Sequence, residues 1–249
     1  MNAFIDNFFN WQLIGDTLGD LLTYGLRNTL VLSLCSVLLG SVIGMVLAVM
    51  GISSKRWLRT PARLYTDIFR GLPAALTILM VGEGVFGAQI SWLTSPYPVA
   101  ILALSLMAGA YIGEIFRSGI QSVEKGQGEA CRALGMSHGE ALRLVVIPQG
   151  VRRVLPALVN QFIGIIKDSS LVYFLGLVTS ERELFRIGED ASVSSGNLSP
   201  LLATGLCYLL LTVPLTHLVN YVDKRLREGS RPVVEPDAPS LVDPAKALV

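Results

Sequence analysis

The sequence predicts an all-α membrane protein with five transmembrane helices, and three observations support this fold class. Hydrophobic residues make up 51% of the 249-residue chain, and only 16% of its residues are charged, whereas soluble domains carry about a quarter. The mean hydropathy is +0.55. The apolar residues are concentrated in runs of roughly 20, which is the length an α-helix needs to cross a bilayer.

The predicted spans cover approximately residues 25–51, 64–86, 97–117, 154–178 and 199–222. The first is the clearest, because residues 28–54 contain no charge. Gly40 and Gly44 in this span form the small-residue pattern that lets two membrane helices approach closely, and Gly109 with Gly113 repeats it in the third span. We therefore expect close helix packing at both pairs.

The second and fourth spans contain charged residues. Only 12 uncharged residues separate Arg70 from Glu83, so the second span must include both near its ends. Gly71-Leu72-Pro73 is expected to kink it. The fourth span carries Lys167 and Asp168 near its middle, where inserting one charge costs about 2.5 to 3.5 kcal/mol. We therefore expect these two side chains to face protein or water.

The two ends of the chain are predicted to lie outside the transmembrane domain, which covers residues 23–224. In residues 1–22 apolar side chains recur at helical spacing among acidic and amide residues, which is typical of a helix lying on the membrane surface. A frayed terminus is the alternative. Residues 225–249 are rich in proline and charge, and we expect disorder from about residue 230.

The basic residues predict the orientation in the membrane. Fifteen Lys and Arg residues lie in the segments that follow spans one, three and five, and only Arg182 and Arg186 lie on the opposite side. Cytoplasmic loops carry such an excess of positive charge. We therefore predict an N-terminus outside, a cytoplasmic C-terminus and a cytoplasmic segment 118–152. The net charge of +1 argues against a nucleic-acid partner.

The cytoplasmic segment 118–152 contains the signals of a helix-turn-helix. Residues 129–134 favour a helix, and Gly135 can adopt the left-handed conformation that ends one. Ser137 and Glu140 match the capping box that opens a second helix, and Pro148 is expected to mark its end. Small residues, Ala130 and Ala133, lie near the corner. This shape suits docking into a cleft on a partner.

Six polar residues are candidates for the path of a transported solute: Lys167, Asp168, Ser169, Ser170, Glu83 and Arg70. A zwitterionic solute requires both signs of charge, which Lys167 and Asp168 offer. The alternative is a structural charge network that locks span four to its neighbours. Glu83 could instead mark the outer mouth and Arg70 the inner membrane interface, and serines in spans often bridge helices.

Catalytic motifs are absent from the sequence. No Gly-x-x-x-x-Gly-Lys-[Ser/Thr] motif occurs, so the chain lacks that means of binding ATP phosphates, and neither Gly-x-Ser-x-Gly nor His-Glu-x-x-His occurs. The three cysteines and two histidines lack metal-ligand spacing. We expect neither an enzyme nor a bound cofactor or metal.

The cytoplasmic segment 118–152, which we call the docking segment, resembles the EAA loop of ABC importer permeases. That loop has Glu-Ala-Ala, a glycine six residues after the glutamate and then Ile-x-Leu-Pro. Here the corresponding stretches are Glu129-Ala130-Cys131, Gly135 and Val145-Val146-Ile147-Pro148. Flanking motifs are similar to those of the polar amino-acid uptake permeases of the histidine, glutamine and arginine type: Tyr24-Gly25-Leu26-Arg27-Asn28-Thr29-Leu30, Arg70-Gly71-Leu72-Pro73, Ala110-Tyr111-Ile112-Gly113-Glu114-Ile115-Phe116-Arg117, Gly119-Ile120-Gln121-Ser122-Val123 and Lys167-Asp168-Ser169-Ser170-Leu171.

One of these motifs departs from its usual form. The branch has Arg-Gly-Thr-Pro followed by Leu-Leu-Val-Gln, whereas here Leu72 replaces the threonine and Ala74-Ala75-Leu76-Thr77 follows the proline. The usual glutamine is missing. If that side chain contacts the solute, specificity differs in this chain.

The resemblance implies the transmembrane fold of a type I ABC importer in the inner membrane of a prokaryote. It further implies a second permease subunit, identical or paralogous, two ATPase subunits that bind ATP and magnesium, and an extracytoplasmic solute-binding protein. Polar amino acids would be moved by alternating access. Glu129 would engage the ATPase cleft, and Gly135 would shape the turn.

Two other functions are weighed against the importer. A stand-alone secondary transporter would use Lys167 and Asp168 to couple an ion gradient to uptake. A membrane interaction or signalling protein would keep the same fold but move no solute.

Overall fold

The computed structural model of the protein describes residues 6–90, 93, 95–178 and 180–228, with side chains up to residue 224. All regular secondary structure in this part of the chain is helical, which agrees with the predicted class. The predicted disorder from about residue 230 lies outside the described residues.

The helices are numbered in chain order. They are α1 (Trp11–Asp20), α2 (Leu26–Ile52), α3 (Arg56–Gly71), α4 (Ala74–Gly87), α5 (Pro96–Gln121), α6 (Lys125–Ala133), α7 (His138–Ala141), α8 (Ile147–Arg153), α9 (Leu155–Asp168), α10 (Leu184–Ser195) and α11 (Ser199–Glu228). Two π-helical turns, Leu21–Gly25 and Leu142–Val146, join α1 to α2 and α7 to α8, and a 3-10 helix, Ser169–Leu175, follows α9.

Three described helical segments are long and apolar enough to cross a membrane: Asp6–Ile52, Pro96–Gln121 and Ser199–Lys224. A fourth is added if α3 and α4 together form one span. By length and composition the described chain is therefore an all-helical membrane protein with three or four spans, and the predicted number of five stays a prediction.

The N-terminal helix runs into the first span through a π turn, and the domain boundary predicted at residue 22 stays a prediction. The π turn keeps the backbone ladder intact, since the Leu26 amide donates to the Leu21 carbonyl. Leu21 is fully buried against Leu184 and Ile187 of α10. That α1 lies on the membrane surface stays a prediction.

The central helix pair is α2 with α5, and the predicted glycine pairs lie at its contact. A Cβ atom built on Gly44 would lie 2.8 Å from the Gly113 amide nitrogen, and one on Gly40 would lie 3.2 Å from the Gly109 nitrogen. Real Cβ atoms essentially never approach another atom within 3.0 Å, and a contact of 3.2 Å is tighter than nine in ten of theirs. Close packing at the two glycine pairs is therefore confirmed, and the pairs face each other.

The second span is broken more sharply than a kink. Helices α3 and α4 meet at 112° across Leu72 and Pro73, which are both extended. Proline disfavours the helical conformation in the residue before it, and its ring supplies no amide hydrogen to continue the ladder. The chain thus bends where Gly71-Leu72-Pro73 was expected to kink it, although by a break between two helices, and α3 is packed on α2 and α5 before that break. That the pair forms one span over about 64–86 stays a prediction.

The fourth span is also shorter as an α-helix than predicted. Helix α9 ends at Asp168, so Lys167 and Asp168 lie at its C-terminal end and not in the middle of a helix over 154–178. The hydroxyls of Ser169 and Ser170 donate to the carbonyls of Ile166 and Lys167. Side-chain bonds of this kind compete with the regular backbone ladder, and they lie where the chain tightens into the 3-10 helix.

Helix α10 lies in the acidic segment between the last two spans, where no helix was predicted. Its N-cap is Glu183, a fully buried residue whose carboxylate accepts hydrogen bonds from the backbone amides of Phe185 and Arg186. The Tyr208 hydroxyl of α11 donates to the same carboxylate at 3.2 Å. This buried cap ties α10 to α11.

The buried core has three parts. The first lies between α2, α4 and α5, the second between α2, α5 and α9, and the third between the π turn, α10 and α11. The second also receives Val146, Ile147 and Val151 from the docking segment. The docking segment is therefore packed directly on the bundle.

Candidate functional site

The turn of the docking segment has the geometry that its sequence predicts. Gly135 adopts φ +86° directly after α6. Its amide donates to the Arg132 carbonyl at 3.0 Å, and the Met136 amide donates to the Cys131 carbonyl at 3.1 Å. This pair of bonds is a Schellman motif, which uses a glycine at the left-handed position.

The predicted capping box opens α7. The Glu140 amide donates to the Ser137 hydroxyl at 3.3 Å, and the Ser137 amide donates to the Glu140 carboxylate at 2.7 Å. The hydrogen bonds from the Ser137 backbone and side chain hold the pKa of the Glu140 carboxyl below its ordinary value of 4.5. The box is therefore fully formed at neutral pH.

Acidification is expected to open this box. Folding lowers the pKa of the Glu140 carboxyl. The ionised carboxylate therefore stabilises the folded box above pH 4.5, and this stabilisation is lost as the pH falls through the lower pKa of the folded state. Amide hydrogen exchange of Ser137 in the complete protein, corrected for the intrinsic rate, should lose protection in that window. In Glu140→Gln the acceptor oxygen remains but does not titrate, so protection should vary less with pH. An unchanged pH profile in this variant would contradict the assignment.

The expectation that Pro148 ends the second helix is wrong. The π turn precedes it, with the Ile147 amide donating to the Leu142 carbonyl, and Pro148 then lies in the first turn of α8. A proline is tolerated there because the amide hydrogen it lacks has no obligatory partner. The second helical arm therefore continues to Arg153.

An open groove of about 430 Å³ lies between the two arms. Glu129 and Arg132 of α6 line one side, and His138 and Leu142 line the other. Glu129, Ala130 and Ala133 are exposed, whereas Cys131 and Ala141 are buried where the arms meet. The two arms therefore pack against each other through Cys131 and Ala141, and Glu129 stays accessible to a partner.

The docking segment contacts the bundle through glycines. A Cβ on Gly119 of α5 would lie 2.6 Å from the Gly150 carbonyl oxygen, and one on Gly150 of α8 would lie 2.8 Å from the Ile120 backbone. Arg153 donates to the Ser122 carbonyl beside this contact. We call Gly119, Gly150 and their neighbours the α5–α8 joint.

Arg70 belongs to a cluster at the end of α5. Its guanidinium lies 3.9 Å from the Glu114 carboxylate and 5.4 Å from the centre of the Tyr111 ring. Arg117 binds the same carboxylate with two donors, at 2.6 and 2.9 Å. The pairing of Glu114 with Arg117 can be predicted from their spacing along one helix. The contact of Arg70 with Glu114 joins two helices and is seen only in the folded structure.

The other solute-path candidates lie apart from that cluster. Lys167 is exposed and Asp168 is half-buried, and neither side chain makes a hydrogen bond or an ion pair with another described residue. The hydroxyls of Ser169 and Ser170 are used by backbone carbonyls. Glu83 is exposed on α4, the helix that packs against the 3-10 helix after α9.

The chain is similar in sequence to membrane components of bacterial transport systems. Residues 40–228 match the family model described as binding-protein-dependent transport system inner membrane component. The chain is 34% identical to the arginine transport system permease protein ArtQ of Bacillus subtilis, over 82% of this chain and 92% of that protein. It is 33% identical to the glutamate/aspartate import permease protein GltK of Escherichia coli, over 87% and 98% of the two chains.

Solved structures show the same fold. A crystal structure of an amino acid ABC transporter with histidines matches with a TM-score of 0.70 at 30% identity, over 82% of this chain and 93% of that chain. The MetNI methionine ABC transporter in an inward-facing conformation matches with a TM-score of 0.69 at 22% identity, over 85% and 97%. The resemblance stated from the motifs is confirmed: the chain belongs to the family of inner membrane permease components of binding-protein-dependent ABC transport systems.

Proposed function

We propose that the chain is the membrane-spanning permease subunit of an ATP-driven importer of polar amino acids. The observation that carries the proposal is the docking segment, in which a left-handed Gly135 turn leaves Glu129 exposed beside an open groove. The named cargoes of the relatives, arginine for ArtQ and glutamate or aspartate for GltK, support an amino-acid cargo.

The assembly would contain a second permease subunit, two ATPases and an extracytoplasmic solute-binding protein. The ATPases bind ATP and magnesium, since this chain has no phosphate-binding loop. Glu129, Ala130 and Ala133 enter the ATPase cleft, while Gly135 sets the angle between the arms and Pro148 begins α8. Closure of the ATPase dimer then draws the two docking segments together and opens the permease outward.

The membrane placement that fits this assembly has five spans in a prokaryotic inner membrane, with the N-terminus outside and the C-terminus cytoplasmic. The distribution of basic residues supports this orientation. Helices α3 and α4 form the broken second span, and α9 with its 3-10 continuation forms the fourth. Residues 155–175 then supply about the number of residues that a span requires.

Lys167 and Asp168 are the strongest candidates for the cargo path. A charge inside the membrane domain without a partner among the described residues of its own chain is available to a ligand. An ammonium and a carboxylate match the two charges of an amino acid, and Ser169, Ser170 and Glu83 lie on or beside the same elements. Arg70 fits a structural role better, because Glu114 and Tyr111 already engage it.

Replacing Gly135 by alanine tests the docking assignment. An L-residue held in the left-handed conformation costs about 1 to 2 kcal/mol, so the arm angle should change. ATPase capture by the purified permease should fall about tenfold, with a parallel fall in ATP-dependent amino-acid uptake by reconstituted vesicles. Glu129→Ala should also weaken ATPase capture, because it removes a side chain of the docking surface, but it should not strain the backbone.

The matched control is Gly139→Ala in α7. Gly139 has no positive φ, and nothing lies within 4 Å of its built Cβ, so capture and uptake should stay near wild type. Normal capture by Gly135→Ala would contradict the docking assignment. Uptake driven by an ion gradient without ATP would instead identify a secondary transporter, and capture without any uptake would identify an interaction protein.

A further inference from the structure

Helix α3 presents three different faces. One is packed on the bundle and contains buried Ala62 and Thr66 with half-buried Tyr65 and Phe69, which recur at i, i+3, i+4 and i+7. The second is exposed and apolar, with Trp57 at 69%, Leu64 at 59% and Ile68 at 45% accessibility. The third is basic, with Arg56, Arg59 and Arg63 at i, i+3 and i+7; Arg56 and Arg63 are exposed and Arg59 is half-buried.

The face packed on the bundle fixes the rotation of the helix. The Tyr65 hydroxyl donates to the Leu106 carbonyl of α5 at 2.8 Å, and the Tyr65 and Phe69 rings lie 4.5 Å apart. Phe69 packs on the core between α4 and α5. Because this face is anchored, the apolar and basic faces cannot turn inward to find partners in their own chain.

Three positive charges at the start of α3 have no acidic partner among the described residues. Lys55, Arg56 and Arg59 make no ion pair with another described residue. Arg63 instead lines a small cavity with Glu114 and Arg117. Asp67 is the one acid on α3, more than two turns beyond Arg59. The first turn of α3 and the residue before it therefore carry three uncompensated positive charges beside Trp57.

We propose that the start of α3 is a binding site for anionic phospholipid: Lys55, Arg56 and Arg59 hold the headgroup, and Trp57, Pro61 and Leu64 contact the acyl chains. The site rests on the membrane placement given under Proposed function. Apolar and basic stripes side by side on one helix match the boundary between hydrocarbon and headgroups, and tryptophan favours that depth.

A lipid fits this surface better than a second copy of the chain. A two-fold interface through this face would bring the same basic stripe from each copy together, and like charges in contact repel. A phospholipid neutralises the stripe and covers the apolar face at the same time. Helix α3 follows the apolar segment Asp6–Ile52, and with α4 it forms a bent pair that together has membrane-spanning composition, so lipid can reach its two outer faces.

Tryptophan fluorescence tests the site in the complete transporter. With Trp11 and Trp92 replaced by phenylalanine, the remaining Trp57 is reconstituted in vesicles that contain brominated phosphatidylglycerol or, at the same mole fraction, brominated phosphatidylcholine. Quenching should be stronger with the anionic lipid. Replacing Lys55, Arg56 and Arg59 by glutamine should lower this preference by up to about fivefold for each charge, the effect of one basic residue near an anionic surface.

Each outcome separates the site from the proposed transport function. Arg143→Gln, which removes an exposed charge from the docking segment, should leave the lipid preference of Trp57 unchanged. Equal quenching by both lipids, or no quenching by either, would overturn the site even if ATP-dependent uptake persists. Cross-linking between copies through Leu64→Cys would assign the apolar face to a second subunit. Loss of uptake with the lipid preference intact would count against the transport function alone.

Discussion

Leucine in place of Gly44 is expected to prevent the membrane domain from assembling. The first side-chain atom alone would lie 2.8 Å from the Gly113 nitrogen and 3.1 Å from the Gly109 carbonyl oxygen. Overpacked sites cost about 1 to 3 kcal/mol and occasionally more, and here the obstacle is backbone of α5, which cannot move aside as a side chain can. Folded protein recovered by size-exclusion chromatography in detergent should fall at least about tenfold.

The matched control is Gly205→Leu in α11. Gly205 is exposed, and nothing lies within 4 Å of its built Cβ. Both variants add the same side chain to a long apolar helix, so they differ only in what that side chain meets. If Gly44→Leu were recovered as well as Gly205→Leu, α2 and α5 would not pack as closely as described.

The features that the sequence predicts correctly are those set by a few neighbouring residues. The Gly135 turn and the Ser137–Glu140 box each depend on bonds that span fewer than six residues, so their sequence signals suffice. The prediction of close packing at the glycine pairs was correct for a related reason. A small-residue stripe on a membrane helix has one main use, which is to admit another helix.

The differences from the predictions arose where a shifted hydrogen-bond ladder or a distant contact decides the local structure. Pro148 did not end its helix, because a π turn shifts the hydrogen-bond ladder ahead of it. The break at Pro73 became a 112° bend because Tyr65 and Phe69 anchor α3 on the bundle. Helix α10 needs a glutamate cap buried against Tyr208, 25 residues further along the chain. Gly71-Leu72-Pro73 marks the position of the bend but not its angle, which depends on contacts between α3 and the bundle.

The candidate site divides in the same way. The docking turn could be placed from local motifs, whereas the partners of the charged residues could not. Only the fold shows that Arg70 has partners of its own, Glu114 and Tyr111. Lys167 and Asp168 looked like a mid-helix pair, and the end of α9 at Asp168 changed their position.

The α5–α8 joint is the place where motion of the docking segment would reach the bundle. Gly119 and Gly150 bring two helix backbones into direct contact, and Arg153 fastens α8 to the end of α5. Energetic coupling between distant sites is carried through packed elements that move as units. A gap at this contact would therefore weaken transmission while leaving the ATPase-facing surface of α6 unchanged.

Alanine in place of Gly150 should uncouple the transporter. Its Cβ would lie 2.8 Å from the Ile120 nitrogen and Cα and 2.9 Å from the Gly119 carbonyl carbon, so α8 must move away from α5. ATPase capture should stay near wild type, whereas ATP-dependent uptake in vesicles should fall about tenfold, within the 1 to 3 kcal/mol typical of coupling between sites. ATP hydrolysis measured in the same vesicles should continue without matching uptake.

Gly164→Ala in α9 is the control, since nothing lies within 4 Å of its built Cβ and alanine favours both helices equally. Gly119→Ala approaches the same contact from α5, with its Cβ 2.6 Å from the Gly150 oxygen, and should reproduce the uncoupling. The comparison with Gly135→Ala then separates docking from transmission, because that variant loses capture itself. If Gly150→Ala lost capture and uptake in parallel, the joint would shape the docking surface and would not transmit its motion.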